Sequence, residues 1–220
     1  MSRGYLVIEG HGEIRAALNL VTRLWSDLGL DPQFHWSDPP IRGQALQTRE
    51  GVLRACRLVR TKRDAAALLL LRDADDDIDC PKTCGPQIAE WIRAEQLPFP
   101  AATVLFRREF ETLFLPCLGR ISGKPLRDDR GIERAGLKAG TIFSGDYEGV
   151  RGVKEWLSRH FSPGRSYKPT LDQLPMTRMI DLDVLRRSGL PSFATLENAL
   201  RFIGTARDGS GVYPPSQASR

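Results

Sequence analysis

Residues 66–79 read AALLLLRDADDDID. Ala66 to Leu71 is an unbroken apolar run of strand length, ending at Arg72, with no polar residue to mark a wet face. A strand covered on both faces reads this way, and such strands belong to parallel sheets flanked by helices. The run gives way at once to Asp73, Asp75, Asp76, Asp77 and Asp79, five acids in seven residues. The same succession occurs near the N-terminus, where Tyr5-Leu6-Val7-Ile8 meets E-G-H-G-E, with Glu9 and Glu13 as its acids.

Working outward, the segments between these runs have helical spacing. Ile14, Ala17, Leu18, Val21, Leu24, Trp25 and Leu28 recur at three and four residues and stop at Gly29, which predicts one amphipathic helix. Residues 44–63 and 83–96 predict two more, with Val52, Cys56 and Val59, then Ile88 and Ile92, turned inward. Gln33 to Ser37 is a short candidate strand, Ala101 to Arg107 a further one, and Glu109 to Leu118 a helix. The order is βαβαβαβα, hence an α/β fold: a mostly parallel sheet with helices on both faces.

After residue 118 the pattern weakens. Residues 119–150 are rich in glycine and read as an irregular insertion. Val150–Phe161, Leu171–Leu174, Met176–Leu185 and Ser192–Ile203 predict a helical extension packed on the core, with Ser192 as an N-cap. Residues 1–118 are therefore the expected core, 119–204 the helical and irregular extension, and 205–220 a disordered tail.

Composition narrows the function classes. A chain of 220 residues, 41% hydrophobic and 27% charged, suits an ordinary globular protein. No apolar run approaches the roughly 20 residues that span a bilayer, so no membrane role and a cytoplasmic location are expected. Residues 1–150 carry 21 Lys and Arg against 21 Asp and Glu, while residues 151–220 carry 11 against 6. The whole excess of +5 thus lies C-terminal, as a polyanion-binding flank would have it; an inert basic surface has the same composition. Cys80 and Cys84 form a C-x₃-C pair without a second knuckle, which reads as two ordinary thiols rather than a zinc site.

The carboxyl ends of neighbouring parallel strands open into one crevice, where Glu9, Glu13, Asp73 and Asp75 can meet. Gathered carboxylates repel one another unless cations neutralise them, and hard oxygen ligands favour Mg²⁺ or Mn²⁺. The competing reading is structural: Glu13 answers a helix dipole and the aspartates form a solvated loop. If the acids do crowd a solvent-accessible crevice, replacing Asp73 or Glu9 by alanine should leave stability level or higher.

Together the two motifs resemble the Toprim domain of topoisomerases, bacterial primases and the overcoming-lysogenization-defect nucleases. That family pairs a Glu after its first strand with a D-x-D after its third, here Glu9 and Asp73-Ala74-Asp75, and E-G-x-x-E with Glu13 looks like the nuclease branch. The resemblance covers about residues 4–118. The rest of the chain is similar to small Toprim-like proteins encoded beside AAA ATPases in bacterial antiviral defence loci. It implies a metal-dependent nuclease acting on DNA or RNA as effector of an AAA or ABC-type ATPase. Two Mg²⁺ (or Mn²⁺) ions would be held by Glu9, Glu13, Asp73, Asp75 and Glu111, with Glu109 the alternative to Glu111 in R-R-E-F-E-T. Glu9 would be ligand or base, and a late lysine, Lys168 in S-Y-K-P or Lys124 in G-K-P, would complete the catalytic set. Arg107, Arg108 and Arg178 would contact nucleic acid, with Arg186 or Arg187 also toward the crevice. The alternatives are a non-catalytic Toprim-like regulatory subunit of an ATPase complex, or a primase-type nucleotidyl transferase. No Walker A motif occurs, so any ATP use falls to a partner.

Overall fold

The two apolar runs become neighbours. The first forms β1 (Arg3–Ile8), followed by α1 (Glu13–Asp27), the short strands β2 (His35–Trp36) and β3 (Ile41–Arg42), and α2 (Arg49–Arg60). The second forms β4 (Ala65–Ala74), followed by α3 (Pro81–Ala94) and β5 (Ala101–Arg107). The computed structural model describes residues 2–10, 13–74, 80–206 and 210–216, without the Glu13 side chain. His11 and Asp75 to Asp79 lie outside the described residues.

Beyond β5 come a 3₁₀ turn (Phe110–Phe114), α4 (Leu118–Ile121), the hairpin β6 (Leu126–Arg127) and β7 (Glu133–Arg134), and α5 (Val153–His160). A π-helical turn (Pro169–Gln173), α6 (Leu174–Arg178), α7 (Leu182–Ser188), α8 (Pro191–Thr205) and β8 (Val212–Tyr213) complete the chain. The main sheet runs β2-β1-β4-β5-β8, with β3 also on β1, and every pairing within it is parallel. The molecule is thus an α/β protein with a mostly parallel sheet flanked by helices and a helical C-terminal region.

Strand alternation sorts the core into two layers. Leu6, Ile8, Leu69, Leu71, Val104 and Phe106 pack with Leu20 and Leu24 of α1 and Phe193 and Leu196 of α8. Tyr5, Val7, Leu68, Leu70 and Leu105 pack on the other face with Val52 and Val59 of α2 and Ile88 and Ile92 of α3. Leu68 to Leu71 are all at most 1% exposed, and each contributes roughly 2 kcal/mol over an exposed leucine. Leu137, Leu157, Phe161 and Met176 join the first layer, so residues 119–204 share the core of the sheet.

Four local expectations differ from what forms. The helix predicted over Glu109–Leu118 is a 3₁₀ turn and then α4, because Pro116 has no N–H to carry the helical hydrogen bonds onward. The helix predicted over Met176–Leu185 breaks where the Asp181 carboxylate accepts the N–H groups of Asp183 and Val184 and starts α7 afresh. Leu190, not Ser192, is the N-cap of α8. In the tail expected to be disordered, Val212–Tyr213 adds to the outer edge of β5, held by the Arg93 guanidinium on the Val212 and Pro214 carbonyls. No helix among the described residues is long and apolar enough to cross a membrane.

Candidate functional site

Register places the acids. Ile8 lies beside Leu71, and Asp73 beside Phe106, so Glu9 and Asp73 leave adjacent strands at the same, carboxyl, end of the sheet. Glu9 is half-buried in the bend that follows β1. Asp73 continues the Leu69–Leu71 face, toward α1 and the 3₁₀ turn, and its Oδ1 accepts the Phe110 N–H at 2.9 Å.

The segment after β5 then supplies two more carboxylates. Arg108 adopts a left-handed backbone (φ 72°), unusual outside glycine, and its N–H returns to the Ala74 carbonyl at 3.1 Å. This sharp turn delivers Glu109 and Glu111 to the strand ends. Glu109 Oε2 accepts the N–H groups of Val153 at 2.8 Å and Lys154 at 3.3 Å, at the N-terminus of α5, where a carboxylate suits the helix dipole. Gly152 before them has φ 65° and offers no capping side chain. Glu111 is fully buried, and its Oε1 accepts from the Tyr167 hydroxyl at 2.9 Å and Gln173 Nε2 at 3.2 Å.

Lys154 ties the three together. Its ammonium lies 3.2 Å from Glu109 Oε1, 3.6 Å from Glu111 Oε2 and 3.9 Å from Asp73 Oδ2. Burial alone would lower its pKa, but Glu111, Asp73 and Glu109 outweigh that and raise it well above the ordinary lysine value. A lysine in the first turn of a helix opposes the dipole. That misfit is the signal in the sequence that could mark Lys154.

Lys168 and Lys124, the lysines that the Toprim resemblance implies, lie elsewhere. Lys168 has extended backbone, so it and Tyr167 point in opposite directions: Tyr167 reaches Glu111, while Lys168 is exposed. The Lys168 N–H donates to the buried Asp172, whose carboxylate also holds Arg165. Lys124 is exposed in the turn before β6. Arg178 pairs with Asp129, which also holds Arg15 of α1. Arg107 is exposed at the end of β5, and its N–H donates to Ser192 Oγ at 2.9 Å. Arg186 pairs with Asp27, the last residue of α1, and so lies toward the amino end of the sheet, away from the crevice.

The donors gathered here are carboxylate oxygens, which fit a hard cation. Asp73, Glu109 and Glu111 surround an ammonium, and no group of three or more His, Cys, Asp or Glu side chains arranged to hold a metal ion occurs among the described residues. The cysteines show no such grouping either. Burial pushes the Cys56 thiol up to about 12 and the Cys117 thiol to about 11, as for inert packing residues. No protein-family model, curated protein or solved structure matches the chain.

Proposed function

We propose that the crevice at the carboxyl end of β1, β4 and β5 hydrolyses phosphodiester bonds in nucleic acid with the help of Mg²⁺ or Mn²⁺. One observation carries the reading: Asp73, Glu109 and Glu111 converge on Lys154 at the sheet edge where Glu9 also emerges. Asp73 and Glu9 are the residues that would hold such ions, with Glu13 and Asp75 completing the set expected from the sequence. Bound divalent ions supply activation of water and neutralisation of phosphate charge. The chain's own part is positioning. Glu109 and Glu111 fix the Lys154 ammonium, Tyr167 and Gln173 fix Glu111, and Lys154 is placed to stabilise negative charge as it develops on a phosphate oxygen. Coupling to an AAA or ABC-type ATPase rests on the Toprim resemblance alone.

A specific observation favours the second reading, a non-catalytic subunit. Asp73 and Glu109 already accept backbone N–H groups, and Lys154 neutralises the cluster without any ion. Incubation of end-labelled single- and double-stranded DNA and RNA with Mg²⁺ or Mn²⁺ separates the two. The hydrolase reading expects cleavage by the wild type, in the presence of an ATPase partner if one is required, and none by Asp73→Asn. No cleavage under any of these conditions would move the assignment to the binding subunit, and cleavage that survives in Asp73→Asn would remove the chemistry from this crevice.

A further inference from the structure

β8 covers only Ala101 and Ala102 of the outer edge of β5. Past it, between the starts of α3 and α8, a cleft of about 630 Å³ opens at the carboxyl end of the sheet. That volume is in the range of small-ligand pockets. Its walls are largely apolar, with Leu105, Pro191 and Tyr213 among them.

Three features make this more than a surface dent. Thr103 lines the cleft, is 1% exposed, and its hydroxyl has no hydrogen-bond partner among the described residues. A buried hydroxyl in that state is costly and marks a place where a ligand atom can bond. Gly85 lies buried in α3 on the cleft wall, yet a Cβ added there would meet no atom within 4 Å. Glycine is poorer than alanine inside a helix, so a position with room for a side chain but none present keeps the cleft open. Finally, Arg107 and Lys82, both exposed, supply a cationic rim, and the left-handed residue Arg108 adjoins them.

The cleft begins one residue from the candidate site. Ala74 lines it, and Asp73, one position earlier, faces the other side of the strand. We propose that the cleft receives the base of one unstacked nucleotide of single-stranded nucleic acid, with its phosphate at Arg107 and Lys82. The base lies against Leu105 and Tyr213, and the Thr103 hydroxyl bonds its edge. Glu148, on the same wall and already accepting the Ser192 N–H at 2.8 Å, offers an acceptor to an exocyclic amine and repels phosphate toward the arginine end. A nucleotide so held directs the adjoining phosphodiester over the end of β4 to Asp73, and a base within a duplex stack cannot enter. The inference rests on the phosphodiester-hydrolysing reading of that site and names its substrate class.

Fluorescence anisotropy with a labelled mixed-sequence 12-mer in EDTA tests it without catalysis. The single strand should bind at least ~10-fold tighter than its blunt duplex, the scale of base stacking on protein. Gly85→Phe, which fills the cleft, should lose about that factor, while Gly85→Ala keeps wild-type binding and Thr103→Val loses severalfold. Should Gly85→Phe misfold by circular dichroism, Thr195→Trp blocks the half-buried rim instead. Equal binding of strand and duplex, or unchanged binding by the folded cleft-filling variant, overturns the proposal. So does competition by adenosine monophosphate with no preference for single strands, which marks a free-nucleotide site. Cleft-dependent binding without cleavage under any metal would sink the hydrolase reading and spare the cleft; cleavage unaffected by Gly85→Phe would do the reverse.

Discussion

Two cations among the described residues each sit among three carboxylates, toward opposite ends of the sheet. Lys154 faces Asp73, Glu109 and Glu111 at the carboxyl end, and Arg186 faces Asp27, Asp183 and Glu197 at the other. Both cations are 31% exposed, but their partners differ: 11%, 15% and 0% exposed around Lys154, against 39%, 70% and 16% around Arg186. The Arg186 fork makes directed hydrogen bonds, at 2.8 Å to Glu197 and 3.0 Å to Asp183. The Lys154 contacts, at 3.2 to 3.9 Å, are looser and chiefly Coulombic. A guanidinium fork is matched to its carboxylates, whereas an ammonium is a compact point charge whose place a metal ion can share. The Arg186 cluster fastens α7 and α8 to α1; the Lys154 cluster concentrates negative charge that must be neutralised.

The largest expected effect breaks this contrast if it fails. Lys154→Met leaves three close, mostly buried carboxylates without their cation and should cost about 2–4 kcal/mol in urea unfolding. Arg186→Met, with solvated partners, should cost about 1 kcal/mol or less. Added Mg²⁺ should restore much of the loss in Lys154→Met and none in Arg186→Met. Equal losses, or equal indifference to Mg²⁺, would make both clusters merely structural.

The pH dependence sharpens it. The folded-state pKa of Lys154 is raised, so its stabilising contribution is fully present below the unfolded-state value of about 10.4 and disappears only as pH rises through the higher folded value. Between pH 6 and 9 the wild-type protein should show no loss from this group. Above about pH 10.5 the wild type should lose stability more steeply than Lys154→Met, as unfolding curves at successive pH values would record.

Smaller effects follow outward from Lys154. Tyr167→Phe removes the hydroxyl that donates to buried Glu111 at 2.9 Å and should cost about 1.5–3 kcal/mol, the range for a hydrogen bond to a charged group. Asp73→Ala should cost about 1 kcal/mol, where the sequence alone suggested level or higher stability. The reason is the Phe110 N–H, 2.9 Å from Asp73 Oδ1, which alanine strands. Asp73→Asn keeps an acceptor there and should unfold close to wild type, so any loss of cleavage in it reports chemistry rather than folding.

What was legible in the sequence follows the range of the interactions that decide it. Leu68 to Leu71 had the length and unbroken apolarity of a strand covered on both faces, and the helices between strands carried their own period, so the parallel sheet and the common end of Glu9 and Asp73 were readable. Local competition was harder. Pro116 and the Asp181 cap each divided a run whose apolar spacing still looked continuous. Lys154 was the least readable of all. It is brought to Asp73 across 81 positions of chain, and only the pairing of an extension helix with the segment after β5 does this. Motif spacing carries no information about such a contact, so a lysine beside a suggestive motif, Lys168, was preferred to one at an unfavourable helix position.

The smallest effect tests that last point. Lys168→Ala and Lys124→Ala remove exposed ammonium groups, and each should change stability by less than about 0.5 kcal/mol. The Lys168 backbone N–H still donates to Asp172 in the alanine variant, so the π-helical turn and Tyr167 beside it stay in place. If nucleic acid passes over this surface, either variant should weaken binding modestly and reduce the salt dependence by roughly one phosphate contact, with the cleavage rate at saturation unchanged. Lys154→Met should act in the opposite sense, lowering the saturated rate with a smaller effect on salt dependence. A large rate loss in Lys168→Ala with wild-type binding would mean that Lys168 turns inward when substrate arrives, and that the ammonium among the three carboxylates is a strut rather than a participant.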